Sequence, residues 1–161
     1  MSKSDKKRIR ILCLHGYGTN STFQKFQMRK WITRLKNIEF IFLDGHIELT
    51  KWQVPKELAE SLGPSLPPDF EFKSHVESLP IVTPDQPYYL DISHIITYLN
   101  NNEPIDGLLT FSQASYISWQ FFHQLHKGFL KNKLTITELP YFALFIAGHR
   151  GFGQEPIDIP S

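Results

Sequence analysis

Cysteine is almost absent from this chain: Cys13 stands alone among 161 residues. A single thiol cannot build an internal disulfide framework, and it excludes a cysteine-based zinc site. Charge of one sign is not in excess either. Lys and Arg number 17 and Asp and Glu 16, for a net charge of +1. A surface dedicated to nucleic acid or to anionic lipid needs a clear basic surplus, so no nucleic-acid partner is expected. Long apolar runs are missing too. The start, residues 1–10, is basic, but the apolar stretch after it ends at His15-Gly16. A signal sequence needs an apolar run of about 7–15 residues and a membrane helix about 20. No membrane span is expected, and the cytosol is the expected compartment. The absence of a Gly-Lys-Ser/Thr triplet excludes a P-loop.

Aromatics, by contrast, are abundant, with 13 Phe, 6 Tyr and 3 Trp, and apolar residues make up 41% of the chain. This is a globular composition, and a chain of this length is expected to form one domain, spanning 1–161. Four runs read as buried strands: 9–14, 40–43, 107–111 and 141–147. They are nearly continuous in apolar residues where a half-exposed strand would alternate, which fits a parallel sheet covered on both faces. Helices are expected over 21–35, 89–100 and 113–130. The first opens with Ser21-x-x-Gln24, a capping-box spacing, and carries Phe23, Phe26, Trp31 and Leu35 at near-helical intervals. The second has Ile92, Ile95, Ile96 and Leu99 on one face, and the third has Ile117, Phe121, Phe122 and Leu125. The sequon-like Asn20-Ser21-Thr22 reads better as a turn into a helix than as a glycosylation site. Strands alternating with helices indicate an α/β fold.

Residues 48–87 interrupt that alternation. They hold seven of the eleven prolines and read as an irregular insert, either a flap over a site or a plain mobile insertion.

The most informative stretch is Pro104-Ile-Asp106-Gly107-Leu-Leu-Thr110-Phe111-Ser112-Gln113-Ala114-Ser115. A buried strand runs into Ser112 and a helix follows directly, the setting of a nucleophile elbow. The usual elbow has glycine two residues before and after the serine because the turn is crowded. Thr110 and Ala114 stand there instead. An ordinary helix N-cap serine is the other reading of the same position. The segment Leu12-Cys13-Leu14-His15-Gly16-Tyr17-Gly18 ends the first strand. In a doubly wound sheet that strand lies beside the strand leading to Ser112. The backbone N–H groups of Tyr17 and Gln113 could then form an oxyanion hole, with Gly16 allowing close approach and His15 supporting the loop. Gly16-x-Gly18-x-x-Ser21 also resembles half of a dinucleotide fingerprint, but the third glycine is absent.

Taken together, the Leu-His15-Gly16-Tyr17 element and the Asp106-Gly107-Leu-Leu-Thr-Phe111-Ser112-Gln113 block resemble the FSH family of serine hydrolases. Phe42-Leu43-Asp44-Gly45 and Phe145-Ile-Ala-Gly148-His-Arg150-Gly-Phe152 agree with it. The resemblance implies a doubly wound, mostly parallel sheet of the α/β-hydrolase type, with strand order second-first-third-fourth. It implies hydrolysis of a carboxyl ester or thioester, a small acyl substrate and no cofactor or metal. Ser112 would be the nucleophile, with Tyr17 and Gln113 as oxyanion donors.

Members of this family carry their Asp and then their His after the nucleophile. Neither has a counterpart here, so the domain is expected to be truncated to about four strands and incomplete at its C-terminus. Of the later histidines, His123 and His126 fall too far along the following helix. His149 is a weak candidate base, or a loop histidine with no catalytic role; His46 is weaker still. Tyr88 and Tyr89 would line the site if the insert folds over it. Trp119, Phe121 and Phe122 read as core. The alternative function is a hydrolase-like remnant without turnover that binds acyl groups or a protein. The fourth run has the composition of a central strand with none after it to pair, so self-association through 141–147 is a further expectation.

Overall fold

The structure is a computed structural model that describes residues 8–62, 66–67, 69–76 and 91–146. Its centre is a four-stranded parallel sheet of β1 (Ile9–Leu14), β2 (Ile38–Leu43), β5 (Gly107–Phe111) and β6 (Phe142–Ile146). The order across the sheet is β2-β1-β5-β6, as expected from the sequence. The inner strands are the ones whose apolar runs are least interrupted. Ile11 to Leu14 of β1 and Gly107 to Thr110 of β5 are buried, whereas β2 and β6 are at most half-buried.

Period-two alternation divides the side chains between two cores. Ile11, Cys13 and Leu109 point to one face, where Met28, at the junction of α1 (Ser21–Gln27) and α2 (Arg29–Arg34), and Ile32 of α2 cover them. Leu12, Leu14 and Leu108 point to the other. They pack there against Ile95, Ile96 and Leu99 of α4 (Ser93–Asn101) and against Ile117 and Phe121 of α5 (Ala114–His126). Helices on both faces make the sheet doubly wound. Phe121 is fully buried, with Phe122 edge-on to it, so that part of the aromatic cluster is core as expected. Cys13 is buried between the layers, and burial pushes its thiol up to about 12, which leaves it inert. No helix among the described residues is long and apolar enough to cross a membrane.

Two local expectations need correction. The helix expected over 21–35 is broken at Met28, and its aromatic face is not the buried one. Phe26, Trp31 and Leu35 are exposed, while Gln24 and Met28 are buried. The stripe that meets the sheet is Asn20, Gln24, Met28 and Ile32, spaced by four. Gln24 belongs there because its amide donates to the Leu14 carbonyl at the end of β1, at 3.1 Å. The cap is Asn20, whose side chain accepts from Phe23 N at 2.8 Å, not the Ser21/Gln24 box.

The insert is also more ordered than its prolines suggest. It includes β3 (Ile47–Leu49), a 3-10 turn (Lys51–Gln53), α3 (Lys56–Ser61) and β4 (Phe72–Ser74). β3 and β4 pair antiparallel as a separate two-stranded sheet. Residues 77–90, including Tyr88 and Tyr89, lie outside the described residues, as do Ala147 and everything after it.

Backbone contacts fasten the insert to the main sheet. Lys73 exchanges backbone hydrogen bonds with the loop after β1, Gly18 N to Lys73 O at 3.1 Å and Lys73 N to Thr19 O at 2.9 Å. The exit of β4 also crosses directly over Gly45, where a Cβ would fall 2.3 Å from the Ser74 carbonyl carbon and oxygen. No rotamer can relieve a clash with backbone. Gly45→Ala is therefore expected to destabilise the protein by about 1–3 kcal/mol, the usual cost of overpacking. Urea denaturation of the two proteins measures the difference, and equal midpoints would contradict this account of the crossing.

Candidate active site at the carboxyl edge of the sheet

The register of β1 against β5 places Leu14 opposite Thr110. The residues that leave the two strands, His15-Gly16 and Phe111-Ser112, are therefore neighbours. A Cβ built on Gly16 would lie 3.4 Å from Ser112 Cβ and 3.5 Å from the Phe111 carbonyl oxygen. These are ordinary van der Waals distances, so the loop sits directly against the serine, and a small side chain at 16 would also fit.

Ser112 has φ +47°, the one positive φ of a non-glycine residue among the described residues. Such a conformation costs on the order of 1–3 kcal/mol and persists only where its surroundings hold it. An N-cap residue is ordinarily extended; Ser112 is not extended, and the N-cap of α5 is Gln113. The surroundings that hold it are hydrogen bonds on either side. Ser112 N donates to Ile146 O of β6 at 2.9 Å, and the Ser112 carbonyl accepts from Ser115 N at 3.0 Å in the first turn of α5. The serine itself is exposed. Thr110 and Ala114, in the positions where elbows favour glycine, are both buried without disturbing the turn. The Thr110 hydroxyl lies 3.5 Å from Ser115 Oγ and from the Leu144 carbonyl.

His15 is buried; its two shortest bonds are of opposite kind, and Thr19 Oγ1 lies 3.3 Å from Nδ1 as a third contact. Gly45 N donates to Nε2 at 2.8 Å, so Nε2 carries a lone pair and the proton of the neutral ring is on Nδ1. Nδ1 lies 2.8 Å from the Gly16 carbonyl, to which it donates. In a trans peptide the N–H points opposite to the C=O. His15 shares the Gly16 carbonyl with the Thr19 hydroxyl, which donates to it at 2.8 Å, and together they turn the Tyr17 N–H away from the ring. The ring cannot accept a proton without losing the Gly45 bond. Burial lowers its pKa, against the opposing pull of the Gly16 bond and of Asp44. Asp44 is 3.9 Å from His15 Nε2 but is engaged elsewhere. It accepts from Ser21 N at 2.7 Å and pairs with Lys73 at 3.2 Å. Burial works against the Asp44 charge, and these bonds outweigh it, keeping the carboxyl below its usual range.

Tyr17 is half-buried and anchors the insert through its phenol, which donates to the Gln53 carbonyl at 2.9 Å. Gln113 is buried, with its side-chain oxygen 3.1 Å from Ser74 Oγ at the end of β4. The insert thus reaches the Ser112 neighbourhood from two sides. His123 and His126 sit in the last turn of α5, as the spacing suggested. His149 lies outside the described residues.

Two residues near this site escaped the sequence reading. His75, at the exit of β4, and His94, on α4, are brought to His15 by the tertiary fold. The rings of His15 and His75 are 4.4 Å apart, His75 and His94 5.2 Å, and His94 and His46 4.4 Å. Four histidines scattered over 80 residues carry no spacing signal. Only the crossing of β4 over Gly45 assembles them. Among the described residues, no group of three or more His, Cys, Asp or Glu is arranged to hold a metal ion.

The chain is 30% identical over 116 residues to an esterase, alnB, of Emericella nidulans, a match covering 71% of this chain and 36% of that protein. The chain therefore spans about a third of the length of the curated relative it matches. The serine hydrolase (FSH1) family model matches residues 1–156. A match over nearly the whole chain, on a doubly wound sheet with a strained serine at the end of β5, means that this chain belongs to the serine hydrolase (FSH1) family.

Proposed function

We propose that Ser112 is the nucleophile of an ester-hydrolysing site, with the backbone N–H groups of Tyr17 and Gln113 as oxyanion donors. The observation that carries this reading is the exposed serine held at φ +47° against Gly16. Ser112 Oγ adds to the carbonyl carbon of a carboxyl ester as its proton passes to a base. The oxyanion is held by the two N–H groups, and its collapse expels the alcohol and leaves an acyl-serine. Water then adds to that ester and releases the acid, returning Ser112 to its resting state. A thioester reacts in the same way with a thiol as leaving group. The helix N-terminus behind Gln113 favours the developing negative charge.

The base is the open element. Both nitrogens of His15 are committed, so it is a brace and not a proton acceptor. His149 remains the weak candidate named from the sequence. A serine hydroxyl without an adjacent base is a poor nucleophile near neutral pH. That favours a second reading, in which the residues 1–161 alone bind acyl groups or a protein with little turnover. Trials with an activated ester and a fluorophosphonate separate the two. Slow labelling that Ser112→Ala abolishes is expected of the 161-residue chain. Robust turnover that His149→Ala abolishes would make His149 the base. Labelling that survives Ser112→Ala would overturn the assignment of the nucleophile.

Strain provides an independent check. Ser112→Gly removes the Cβ penalty and is expected to stabilise the fold by about 1 kcal/mol or more. For a chain of this size that raises the Tm by roughly 2–4 °C. Ser112→Ala retains the Cβ and should leave the Tm nearly unchanged. Both values come from calorimetry, and equal Tm changes in the two variants would contradict strain at this position.

Self-association through residues 141–147 belongs with these proposals. β6 ends the sheet among the described residues, and Leu144 and Phe145, on opposite faces of it, are 46% and 53% exposed. Pairing of this edge with a second copy would cover both. Light scattering on the 161-residue chain is expected to show a dimer or larger species. A monodisperse monomer at high concentration would exclude it.

A further inference from the structure

The outer surface of α1 and α2 carries a charge that the composition of the whole chain conceals. Residues 21–36 contain Lys25, Arg29, Lys30, Arg34 and Lys36 and no Asp or Glu. The rest of the chain then has 12 basic residues against 16 acidic ones. The net charge of +1 is therefore an average over a strongly basic segment and an acidic remainder. The surplus that an anionic partner needs is absent overall and present locally.

Packing decides where these charges point. Gln24, Met28 and Ile32 face the sheet. This row of i, i+4 neighbours runs through the break between the helices, with Met28 N bonded to Gln24 O at 2.9 Å and Ile32 N to Met28 O at 3.0 Å. A helix has four such rows, so the other three, 25-29-33, 26-30-34 and 27-31-35, face outward, the middle one opposite the sheet. All nine of these residues are exposed, and so is Lys36. They include three large apolar side chains: Phe26 is 61% exposed, Trp31 44% and Leu35 42%. The Arg29 guanidinium stands 4.2 Å over the Phe26 ring, which joins two of the rows into one surface. Among the described residues, the Lys and Arg side chains in ion pairs are Arg10, Lys56 and Lys73. No carboxylate among those residues neutralises the cations of this face.

We propose that the outer face of α1 and α2 docks on an anionic lipid bilayer and lies flat in its headgroup region. Such a surface supplies both kinds of partner the face lacks. Anionic headgroups meet the five cations, and the acyl chains just beneath them take up Phe26, Trp31 and Leu35. The convex side of a helix suits a plane. A nucleic-acid strand would instead need a basic groove along which its backbone can run. The proposal goes beyond ester hydrolysis and does not depend on the role of Ser112.

Charge and apolar contact contribute separately, which makes the face testable in parts. Each Lys or Arg near an anionic membrane surface strengthens partitioning about fivefold. That attraction reaches only about a Debye length, roughly 10 Å at 0.1 M salt and 3 Å at 1 M. Binding is therefore expected to require anionic lipid, to weaken with salt, and to weaken about 25-fold when two of the cations are neutralised. The apolar part is insensitive to salt and reads out through Trp31.

The experiment is flotation of the 161-residue protein with phosphatidylcholine vesicles prepared with and without phosphatidylserine. The protein is expected to float with the phosphatidylserine vesicles at about 0.1 M salt, to be released at about 1 M, and to stay behind with phosphatidylcholine alone. Lys30→Gln with Arg34→Gln should weaken partitioning about 25-fold, whereas Lys30→Arg, which keeps the charge, should bind like the wild type. Brominated acyl chains should quench the tryptophan fluorescence of the bound protein, and Trp31→Phe should lose that quenching although Trp52 and Trp119 remain. The substituted positions are exposed, so circular dichroism and Tm should match the wild type; if Trp31→Phe does not fold, the charge variants and the salt dependence decide. Absence of flotation with phosphatidylserine, equal flotation with phosphatidylcholine alone, or partitioning unchanged by the paired Gln substitutions overturns the proposal. Quenching that survives Trp31→Phe would overturn it too, because another face would then be the one inserted. Retention of a single-stranded oligonucleotide, lost in the paired Gln variant and unaccompanied by flotation, would assign the face to nucleic acid. None of these results alters the reading of Ser112, and failure of Ser112→Ala to abolish labelling leaves the docking face in place.

Discussion

The parallel pairing of β1 with β5 is the constraint on which the rest of the site depends. Its register sets Leu14 against Thr110, so the chain leaves both strands at the same level. Gly16 and Ser112 then meet without any side chain being required to bring them together. The pairing is secure because both strands are buried on both faces, and a slip by one residue would exchange the two cores. Asp106 reinforces it at the other end. Its carboxylate accepts from Arg10 N at 2.7 Å, and its own N–H donates to the Arg10 carbonyl at 2.8 Å.

The strained serine is held by this frame and does not hold it. Ser112 N is bonded to β6 and its carbonyl to α5, so the strand on one side and the helix on the other determine its φ. The departures from the glycine-flanked pattern are tolerated for the same reason. Thr110 faces inward beside Ser115 and the β6 backbone, where a hydroxyl has polar neighbours, and Ala114 fits at the first turn of α5. On the β1 side the serine is met by Gly16, with room for no more than ordinary van der Waals contact.

How much of this was legible in the sequence follows from which interactions are local. The continuous apolar runs of β1 and β5 announced buried parallel strands, and the order of elements announced the winding. The strand–Ser112–helix junction and the His15-Gly16 loop carry their own signals over a few residues. The face of α1 and α2 did not, because Gln24 is buried for the sake of a carbonyl at the end of β1 that its own helix does not reveal. The strands β3 and β4 are three residues each and pair across more than twenty residues of proline-rich chain, too short and too distant for periodicity to show. His75 and His94 were invisible for the same reason: their meaning lies in a crossing, not in a motif.

That crossing also explains why a carboxylate near a histidine does not make a proton relay here. Asp44 lies 3.9 Å from His15, close enough to invite an ion pair. Its oxygens are instead taken by Ser21 N and Lys73, and Lys73 is brought there by β4. Lys73 is shared with Glu71 at 2.9 Å, so both of its acidic neighbours remain satisfied. The backbone N–H of Gly45 then occupies His15 Nε2 in place of the carboxylate. A donor at that nitrogen fixes the proton on Nδ1, and Nδ1 together with the Thr19 hydroxyl fixes the Gly16 carbonyl. The charge of Asp44 is thereby directed to holding the insert, and the neutral ring of His15 to directing a peptide. Exchanging those roles, with a protonated His15 paired to Asp44, would break the Gly45 bond and place a positive charge 4.4 Å from the buried ring of His75.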